Sequence, residues 1–286
     1  MLELGIGADL LRGVGWLFRI VFFAALAWAI WSGQGWKGKG IRSLLVLAVF
    51  FGPMLPTVYR NWQHQKRYYA AKAVFDERCK TAGEKIYKTV DNVEGVLLLN
   101  VRPEIDLSEL YDQNWSGAGL PDEKGGDWYI RYFLYWERQD DPKRRGQINQ
   151  RPKNDHGYIK IRGYSFVDIR QPNGKIYRSR FIDENYFDLS HETSPANPAR
   201  YAVMYQPIID PADRAQWVAG VTVTITDTQT NEIMAKKTWY SFEPGLGNRN
   251  QRTPWGFAIT CPRKVGSDAA QIRFFVDQVL KPKQGE

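Results

Sequence analysis

Two long apolar stretches near the start of the chain dominate its pattern of hydrophobic and polar positions. Residues 14–31 and 43–59 are almost entirely apolar, and the basic segment 33–42 separates them. Each stretch, at about 18 residues, would form a helix roughly 27 Å long, close to the ~30 Å thickness of a bilayer's hydrocarbon core. Arg19, the one charged residue inside either stretch, lies near enough to its helix start for the guanidinium to reach the headgroups. The pattern therefore predicts a transmembrane helical hairpin over residues 1–60.

The residues before the first apolar stretch distinguish it from a secretory signal. Residues 1–11 contain Glu3 and Asp9 and no Lys or Arg, whereas a signal peptide begins with a basic segment. A second apolar stretch also follows at once. We therefore expect the first stretch to be retained as a membrane helix.

The charges around the hairpin predict its orientation, and they do not all agree. Lys37, Lys39 and Arg42 favour a cytoplasmic loop, since the charges around the first helix usually set the orientation. The basic residues that follow the second stretch, among them Arg60 and Arg67, favour the opposite orientation. Giving weight to the first helix, we expect both chain ends to lie outside the cytoplasm.

After the hairpin, apolar residues at spacings of three and four predict an amphipathic helix. The stripe consists of Tyr68, Ala71, Phe75, Cys79, Ala82 and Ile86. This spacing places the residues on one helical face, which we expect to pack against a core. We therefore predict a helical stalk over residues 61–90, with Gly83 as its least helix-favouring position.

Residues 91–286 change to the short patterns that are typical of strands. A continuous apolar run at 95–101 predicts a strand buried on both faces. The glycine-rich connection at 104–126 is predicted to hold at most a short helix, near 107–111. Residues 127–138 carry aromatic side chains on both alternating sets of positions and predict a further strand.

Two hairpins are predicted in the second half of the chain. Asn173 and Gly174 lie between two apolar runs and predict a type I′ turn, because both central positions of that turn need positive φ. Alternation of apolar residues and threonines predicts a strand at 217–226, with its return strand at 232–242. The remaining predicted strands are 158–170, 175–182 and 200–206.

The final predicted element is a helix over residues 268–280, capped by Ser267. An initial helix, about seven strands in mostly antiparallel hairpins and a final helix define an α+β domain rather than βαβ repeats. The sequence therefore divides into a transmembrane hairpin at 1–60, a helical stalk at 61–90 and an α+β domain at 91–286.

Composition and charge restrict the class of partner. The chain of 286 residues has 11 Trp, 15 Tyr and 14 Phe, which suit a β-rich core or a binding surface. Its formal net charge of +8 favours anionic lipid headgroups or an acidic protein as partner. Nucleic acid is not an expected partner, because Lys and Arg are scattered and the densest basic run, at 143–153, has the Pro and Gly of a solvated loop.

Residue spacings typical of active sites and metal sites are missing from the sequence. The three histidines, His64, His156 and His191, share no ligand spacing, and neither Cys-x-x-Cys nor Gly-x-Ser-x-Gly occurs. Ser190, His191 and Glu192 are neighbours in sequence, which does not place them as a catalytic triad. We therefore expect no enzyme activity, no metal and no cofactor, with a hydrolase that uses carboxylates alone as the open alternative.

The two cysteines, Cys79 and Cys261, are far apart in sequence. One interpretation is that both are buried thiols. If the domain lies outside the cytoplasm, a disulfide is favoured instead, because oxidising compartments preserve such bridges. The bridge would join the entry of the domain to its last strand.

Two segments resemble the opening and closing signatures of one protein family. The opening segment is 74–86 with 89–96, and the closing segment consists of 235–240, 245–249, 252–255 and 261–262. These segments are similar to those of membrane-anchored proteins of Gram-negative bacteria that look like immunity proteins. Such proteins are paired with antibacterial effectors of the type VI secretion system, which are often lipases acting in the periplasm.

The resemblance implies a bacterial inner-membrane protein whose domain lies in the periplasm and binds a cognate toxic effector, in many members a lipase. Trp115, Trp128 and Trp217, which have basic neighbours, are the candidate contacts with this effector, since tryptophan is enriched at the energetic centres of interfaces. One competing hypothesis is a structural or assembly factor of the cell envelope that recruits a membrane complex. Another is a hydrolase or lipid-binding sensor.

Overall fold

A computed structural model gives the fold, and its described residues are 5–134, 153–154, 157–158, 163–182, 189–193, 195–250, 252–264 and 270–283. At residues 5–12, 153–154 and 157–158 only the backbone is described. The chain divides into two units, Met1–Arg67 and Tyr68–Glu286.

Helices make up the first unit. They are α1 (Gly5–Ser32), α2 (Gly35–Phe51) and the first part of α3 (Leu55–Thr81). The helical segments that start at Gly13 and Gly35 are each long and apolar enough to cross a membrane, by length and composition. The two predicted helices are therefore present, and they have the dimensions of a membrane anchor.

The basic loop predicted at 33–42 is wrong in extent. Gly33 and Gln34 alone separate α1 from α2, and the basic residues lie in the first turns of α2. Nη1 of Arg42 donates a hydrogen bond to the Ser32 carbonyl at 2.6 Å, which satisfies a backbone group at the end of α1. Lys and Arg are good helix formers, so their charge marks the edge of the apolar stretch and not the end of the helix.

Aromatic contacts and two prolines shape this unit. The Phe22 ring packs edge-on against the Phe50 ring, with centroids 5.3 Å apart. Pro53 and Pro56 lie where the helix is interrupted, since α2 ends at Phe51 and a 3₁₀ turn precedes α3. The prolines therefore divide the second long helical segment.

Strands dominate the second unit. In chain order the described strands are β1 (Gly83–Ile86), β2 (Val90–Val93), β3 (Gly95–Leu98), β4 (Lys153–Asn154), β5 (Gly157–Tyr158), β6 (Phe166–Arg170), β7 (Ile176–Phe181), β8 (Leu189–Thr193), β9 (Tyr201–Ile208), β10 (Val218–Asp227), β11 (Glu232–Phe242), β12 (Ile259–Cys261) and β13 (Leu280–Pro282). The helices among them are α4 (Gly126–Leu134), α5 (Pro211–Ala215) and α6 (Gln271–Val279).

One sheet of nine strands organises this unit. Its order is β1-β11-β10-β9-β3-β6-β7-β8, and β12 pairs with β11 along the same edge as β1. The strand β3 runs parallel to both neighbours, β6 and β9, whereas the other pairs in this sheet are antiparallel. Of the strand predicted at 95–101, β3 covers Gly95–Leu98, and all four of these residues are buried. The α+β class, the mostly antiparallel sheet and the C-terminal helix are confirmed.

The helix predicted over 61–90 is wrong at its end. α3 stops at Thr81, and Gly83, with φ +118°, leads the chain into β1. Glycine adopts this backbone conformation without a Cβ clash, which allows the following residues to pair with β11. The apolar stripe does face a core, since Ala71 and Phe75 are buried.

The strand predicted at 127–138 is wrong, because this part of the chain forms α4. The side chains that α4 buries are Tyr129, Ile130, Tyr132, Phe133 and Leu134. Trp128, by contrast, is exposed. Residues 135–138 lie outside the described residues. Large side chains at almost every position give no contrast between two faces of a strand, so packing against the sheet decides the conformation.

The hairpin at Asn173 and Gly174 is confirmed, but its turn type differs from the prediction. Gly174 has φ +81°, whereas Asn173 is not among the residues with positive φ. The Gly174 N–H donates to the Gln171 carbonyl at 2.9 Å, and the Gln171 N–H donates to the Lys175 carbonyl at 2.8 Å. This pattern is the three-residue loop in which a type I turn precedes a left-handed glycine.

The other predicted elements agree with the structure where it describes them. The strands at 175–182 and 200–206 are confirmed as β7 and β9, and the second hairpin as β10 and β11. Of the strand predicted at 158–170, β6 covers the last part. The final helix is α6, and Ser267, its predicted cap, lies outside the described residues, as does most of the basic run 143–153.

The core has a helix-covered layer on each side of the sheet. Alternate residues of a strand point to opposite faces, and β11 supplies both. Trp239 packs edge-on against Phe275 of α6, with ring centroids 6.1 Å apart. Phe242 stacks on Phe75 of α3, with centroids 5.6 Å apart. α4 and α6 therefore lie on one face of the sheet and the end of α3 on the other.

Candidate interaction surface and a buried arginine cluster

Trp128 is the exposed aromatic residue of α4. Its side chain is 52% exposed, whereas the next residue, Tyr129, is 1% exposed. The guanidinium of Arg131, one turn further along the helix, lies 6.0 Å from the centre of the Trp128 ring. At the start of the helix, the Gly126 N–H donates to the Arg102 carbonyl at 2.8 Å. The buried face of α4 packs in the core, so the helix presents the Trp128 indole, with the Arg131 guanidinium beside it, at the surface.

The other two tryptophans predicted as effector contacts lie inside the domain. Trp115 is 5% exposed and Trp217 is 8% exposed. Both belong to one apolar group with Trp255, whose ring centroid is 5.3 Å from that of Trp217. We call Trp115, Trp217 and Trp255 the tryptophan cluster. Of the three predicted contacts, Trp128 alone offers a large aromatic surface to a partner.

Trp217 has an unusual backbone. Its φ is +56°, a left-handed conformation that bulky residues rarely adopt. Hydrogen bonds hold this conformation on both sides, because the Trp217 N–H donates to the Arg214 carbonyl at 2.9 Å and the Glu243 N–H donates to the Trp217 carbonyl at 3.0 Å. The turn from α5 into β10 is therefore fixed by its neighbours.

Arg102 is the first of two buried arginines beside the tryptophan cluster. Its Nη1 donates to the Tyr205 hydroxyl at 2.9 Å, and its Nη2 donates to the Gly117 carbonyl at 3.2 Å. The guanidinium lies 5.4 Å from the centre of the Trp115 ring. Its Nε has no acceptor within the described residues. The positive charge is thus surrounded by rings and neutral acceptors.

Arg214, on α5, is the second buried arginine, and it is 1% exposed. Within the part of the chain that the structure describes, none of its three guanidinium nitrogens has a hydrogen-bond partner. The guanidinium lies 5.8 Å from the centre of the Trp255 ring. Burial lowers the pKa of Arg214, since the charged form loses its hydration.

Glu123 is the buried acid of the same region. Its Oε2 accepts a hydrogen bond from the backbone N–H of Gln271, at the start of α6, at 2.7 Å. Burial raises the pKa of Glu123 to about 8, and this effect outweighs the attraction of Arg102 and the backbone donors. The carboxyl group is therefore largely protonated at neutral pH.

Ser179 and His191 form the one contact in this region of β7 and β8 that resembles catalytic chemistry. The Ser179 Oγ lies 3.1 Å from Nδ1 of His191 across the two strands. The serine is completely buried, so a substrate could not reach it without opening the sheet. The hydroxyl of Ser190 donates to the Arg180 carbonyl instead. Among the described residues, no group of three His, Cys, Asp or Glu could hold a metal ion.

The predicted disulfide between Cys79 and Cys261 is present. The two Cα atoms are 5.8 Å apart, within the normal range for a bridge. Cys79 lies in the last turn of α3, and Cys261 ends β12. Since β1 and β12 share one edge of β11, the bridge ties together the chain segments that cover this edge.

Leu246, Gly247 and Trp255 of the closing segment lie in or against the tryptophan cluster. Glu243 accepts hydrogen bonds from the Gly245 and Gly247 N–H groups, at 2.8 and 2.7 Å, and forms an ion pair with Arg252. Trp255, in the same segment, donates from Nε1 to the Asp112 carbonyl at 2.7 Å. Gly245, Gly247, Arg252 and Trp255 of this segment are therefore held by contacts inside the domain, whereas Asn248 and Arg249 are exposed.

The buried arginines and Glu123 have no signal in the sequence, because no hydrophobic pattern distinguishes a buried charge from an exposed one.

No family model, curated protein or solved structure matches the chain.

Proposed function

We propose that this protein is an immunity protein of a Gram-negative bacterium, anchored in the inner membrane, that binds and neutralises an antibacterial effector in the periplasm. The observation that carries the proposal is the exposed Trp128 on α4, with the half-buried Arg131 guanidinium 6.0 Å from the centre of its ring. The resemblance of the opening and closing segments to immunity proteins supplies the class of partner, a type VI secretion effector such as a lipase.

The helices and the disulfide support the proposed location. Two helical segments have the length and composition to cross a membrane. The bridge between Cys79 and Cys261 suits an oxidising compartment such as the periplasm. An anchored domain would meet a membrane-active effector where that effector works, and tethering raises its effective concentration there.

The chemistry of Trp128 and Arg131 fits an interaction that depends on binding alone. Trp and Arg are enriched among the residues that contribute most of the binding energy at protein interfaces. The buried side of α4, which includes Tyr129 and Phe133, fixes the helix, so little conformational freedom is lost on binding. The net charge of +8 favours an acidic effector surface. In this proposal the protein carries out no reaction.

Protection of living cells tests the function. Deletion of the gene should make cells sensitive to a sister strain that delivers the cognate effector, and the wild-type gene should restore survival. Trp128→Ala should restore it poorly, with effector binding weakened by about 30-fold or more. Tyr87→Ala is the matched control, because Tyr87 is also exposed, at 66%, and lies outside α4.

The opposite outcomes have defined meanings. Unchanged survival of the deletion strain would refute the immunity function. Full protection by Trp128→Ala would refute the assignment of the contact surface to α4. Recovery of a stoichiometric membrane complex by cross-linking, without any effector, would favour an assembly factor of the cell envelope instead.

A further inference from the structure

The guanidinium of Arg214 lies in an environment that does not balance its charge. It is 1% exposed, and its Nε, Nη1 and Nη2 have no hydrogen-bond partner within the described residues. Asp112 and Asp213 attract it electrostatically, but neither hydrogen bonds to it among the described contacts. The centre of the Trp255 ring lies 5.8 Å from this guanidinium. A buried cation normally has a hydrogen-bonded counter-charge, because desolvation without one is costly.

Two of the groups that interact with Arg214 already accept hydrogen bonds from other arginines. Both carboxylate oxygens of Asp213 accept hydrogen bonds from Arg78, at 2.8 and 3.0 Å. The hydroxyl of Tyr205 accepts a hydrogen bond from Arg102. Arg214 therefore retains a full set of donors in the interior of the domain.

The second buried arginine increases the local excess of positive charge. Arg102 and Arg214 both act on the hydroxyl of Tyr205, which places the two guanidinium groups in one neighbourhood. The acid that attracts Arg102 is Glu123, and burial keeps it largely protonated at neutral pH, with a pKa of about 8. Arg102, Arg214 and the mostly neutral Glu123 thus lie together beside the tryptophan cluster.

We propose that Arg214, with Arg102 nearby, forms a binding site for a small oxyanion, that is, a carboxylate or a phosphate group. The planar fork of a guanidinium matches the paired oxygens of such groups and forms strong, charge-assisted hydrogen bonds with them. The cover over this site includes the short helix α5, on which Pro211, Ala212 and Ala215 are exposed. The proposed site does not depend on the immunity function.

Calorimetric titration of the full-length protein in detergent tests the site. Inorganic phosphate and acetate are the two probes, each at constant ionic strength with chloride as the reference anion. The wild-type protein should bind at least one of them saturably, and its melting temperature should rise with the logarithm of that anion's concentration. Preference for phosphate or acetate would distinguish a phosphate ligand from a carboxylate ligand.

Variants assign the binding to the buried guanidinium. Arg214→Met keeps an unbranched side chain against Trp255 and should weaken binding at least about tenfold, as expected for the loss of a charge-assisted hydrogen bond. Arg249→Met is the matched control, because Arg249 is exposed, and it should bind as the wild type does.

Two results would overturn the inference. One is the absence of saturable binding of either anion to the wild-type protein, a measurement that does not depend on any variant folding. The other is equal anion affinity in Arg214→Met and the wild type. If Arg214→Met does not fold, Arg214→Lys replaces it, and it should bind with reduced affinity because a single ammonium replaces the planar fork.

Discussion

Glu123 caps a helix that begins 148 residues further along the chain, because its carboxyl group accepts a hydrogen bond from the Gln271 N–H at 2.7 Å. The helix that it caps, α6, places Phe275, Val276 and Val279 in the core. The long connection that contains Glu123 is therefore tied to the core of the domain by a titratable group.

The first prediction is that Glu123 makes stability depend on pH. Its pKa is about 8 in the folded protein and 4.5 ordinarily, so between these values the folded state holds a proton that the unfolded state releases. Stability therefore falls as the pH rises through this window, by about 3 kcal/mol from pH ~5 to pH ~8. Glu123→Gln keeps an acceptor and should lose this dependence in urea denaturation.

Glu192→Gln is the control for the pH dependence, because Glu192 is an exposed carboxylate on β8. It should follow the wild-type stability curve. Identical curves for wild type, Glu192→Gln and Glu123→Gln would show that Glu123 is ionised in the folded protein.

The second prediction compares two glycines that have the same backbone angle. Gly174 and Gly247 both have φ +81°, but a Cβ at Gly247 would overlap the Trp217 ring, whereas nothing lies within 4 Å at Gly174. Gly174→Ala should lose about 1–2 kcal/mol from the strained backbone alone. Gly247→Ala should lose about 1–3 kcal/mol more, because it overpacks the tryptophan cluster. Chemical denaturation measures both, and equal losses would mean that the Trp217 ring moves aside freely.

The third prediction concerns the disulfide. The bridge closes a loop with a sequence separation of 182 residues. In the chain-entropy model, replacing both cysteines with serine should lose about 5 kcal/mol of stability, and reduction of the wild type should have the same effect. Protein trapped by alkylation directly in cells should show no free thiol. Two alkylated cysteines would place the domain in a reducing compartment.

The fourth prediction separates the exposed tryptophan from the buried ones. Trp128→Ala should change the free energy of unfolding by less than about 0.5 kcal/mol, since the side chain is half exposed. Trp255→Ala should lose about 3–5 kcal/mol, because it leaves a cavity in the tryptophan cluster. Thermal and urea denaturation check both. A large loss in Trp128→Ala would mean that its effect on protection reflects folding and not binding.

The error at 127–138 shows how a sequence pattern can support two structures. Large side chains on both alternating sets of positions predict a strand, yet the Trp128 ring and the Arg131 guanidinium, three residues apart, lie together, which is a helical spacing. Where apolar and polar residues do alternate, as at 217–226, the prediction is confirmed as β10. Contrast between the faces, and not the number of aromatic residues, makes a segment predictable.

A different reason explains why the buried polar groups could not be predicted from the sequence. Arg102, Glu123 and Arg214 belong to residue types that are almost always exposed, and their burial depends on contacts across the whole domain. The burial of Trp115 and Trp217 also depends on Trp255, which is distant in sequence from Trp115. Local patterns identify the helices and strands. Which of their side chains become buried depends on contacts between residues far apart in the sequence.

The parallel pairing of β3 has a consequence for how this protein is made. Its partners begin at Phe166 and Tyr201, so β3, which starts at Gly95, leaves the ribosome long before either neighbour exists. Pairing over such separations slows folding and leaves apolar segments open to aggregation in the meantime. Until the last third of the chain has been made, β3 therefore lacks one of its two partner strands.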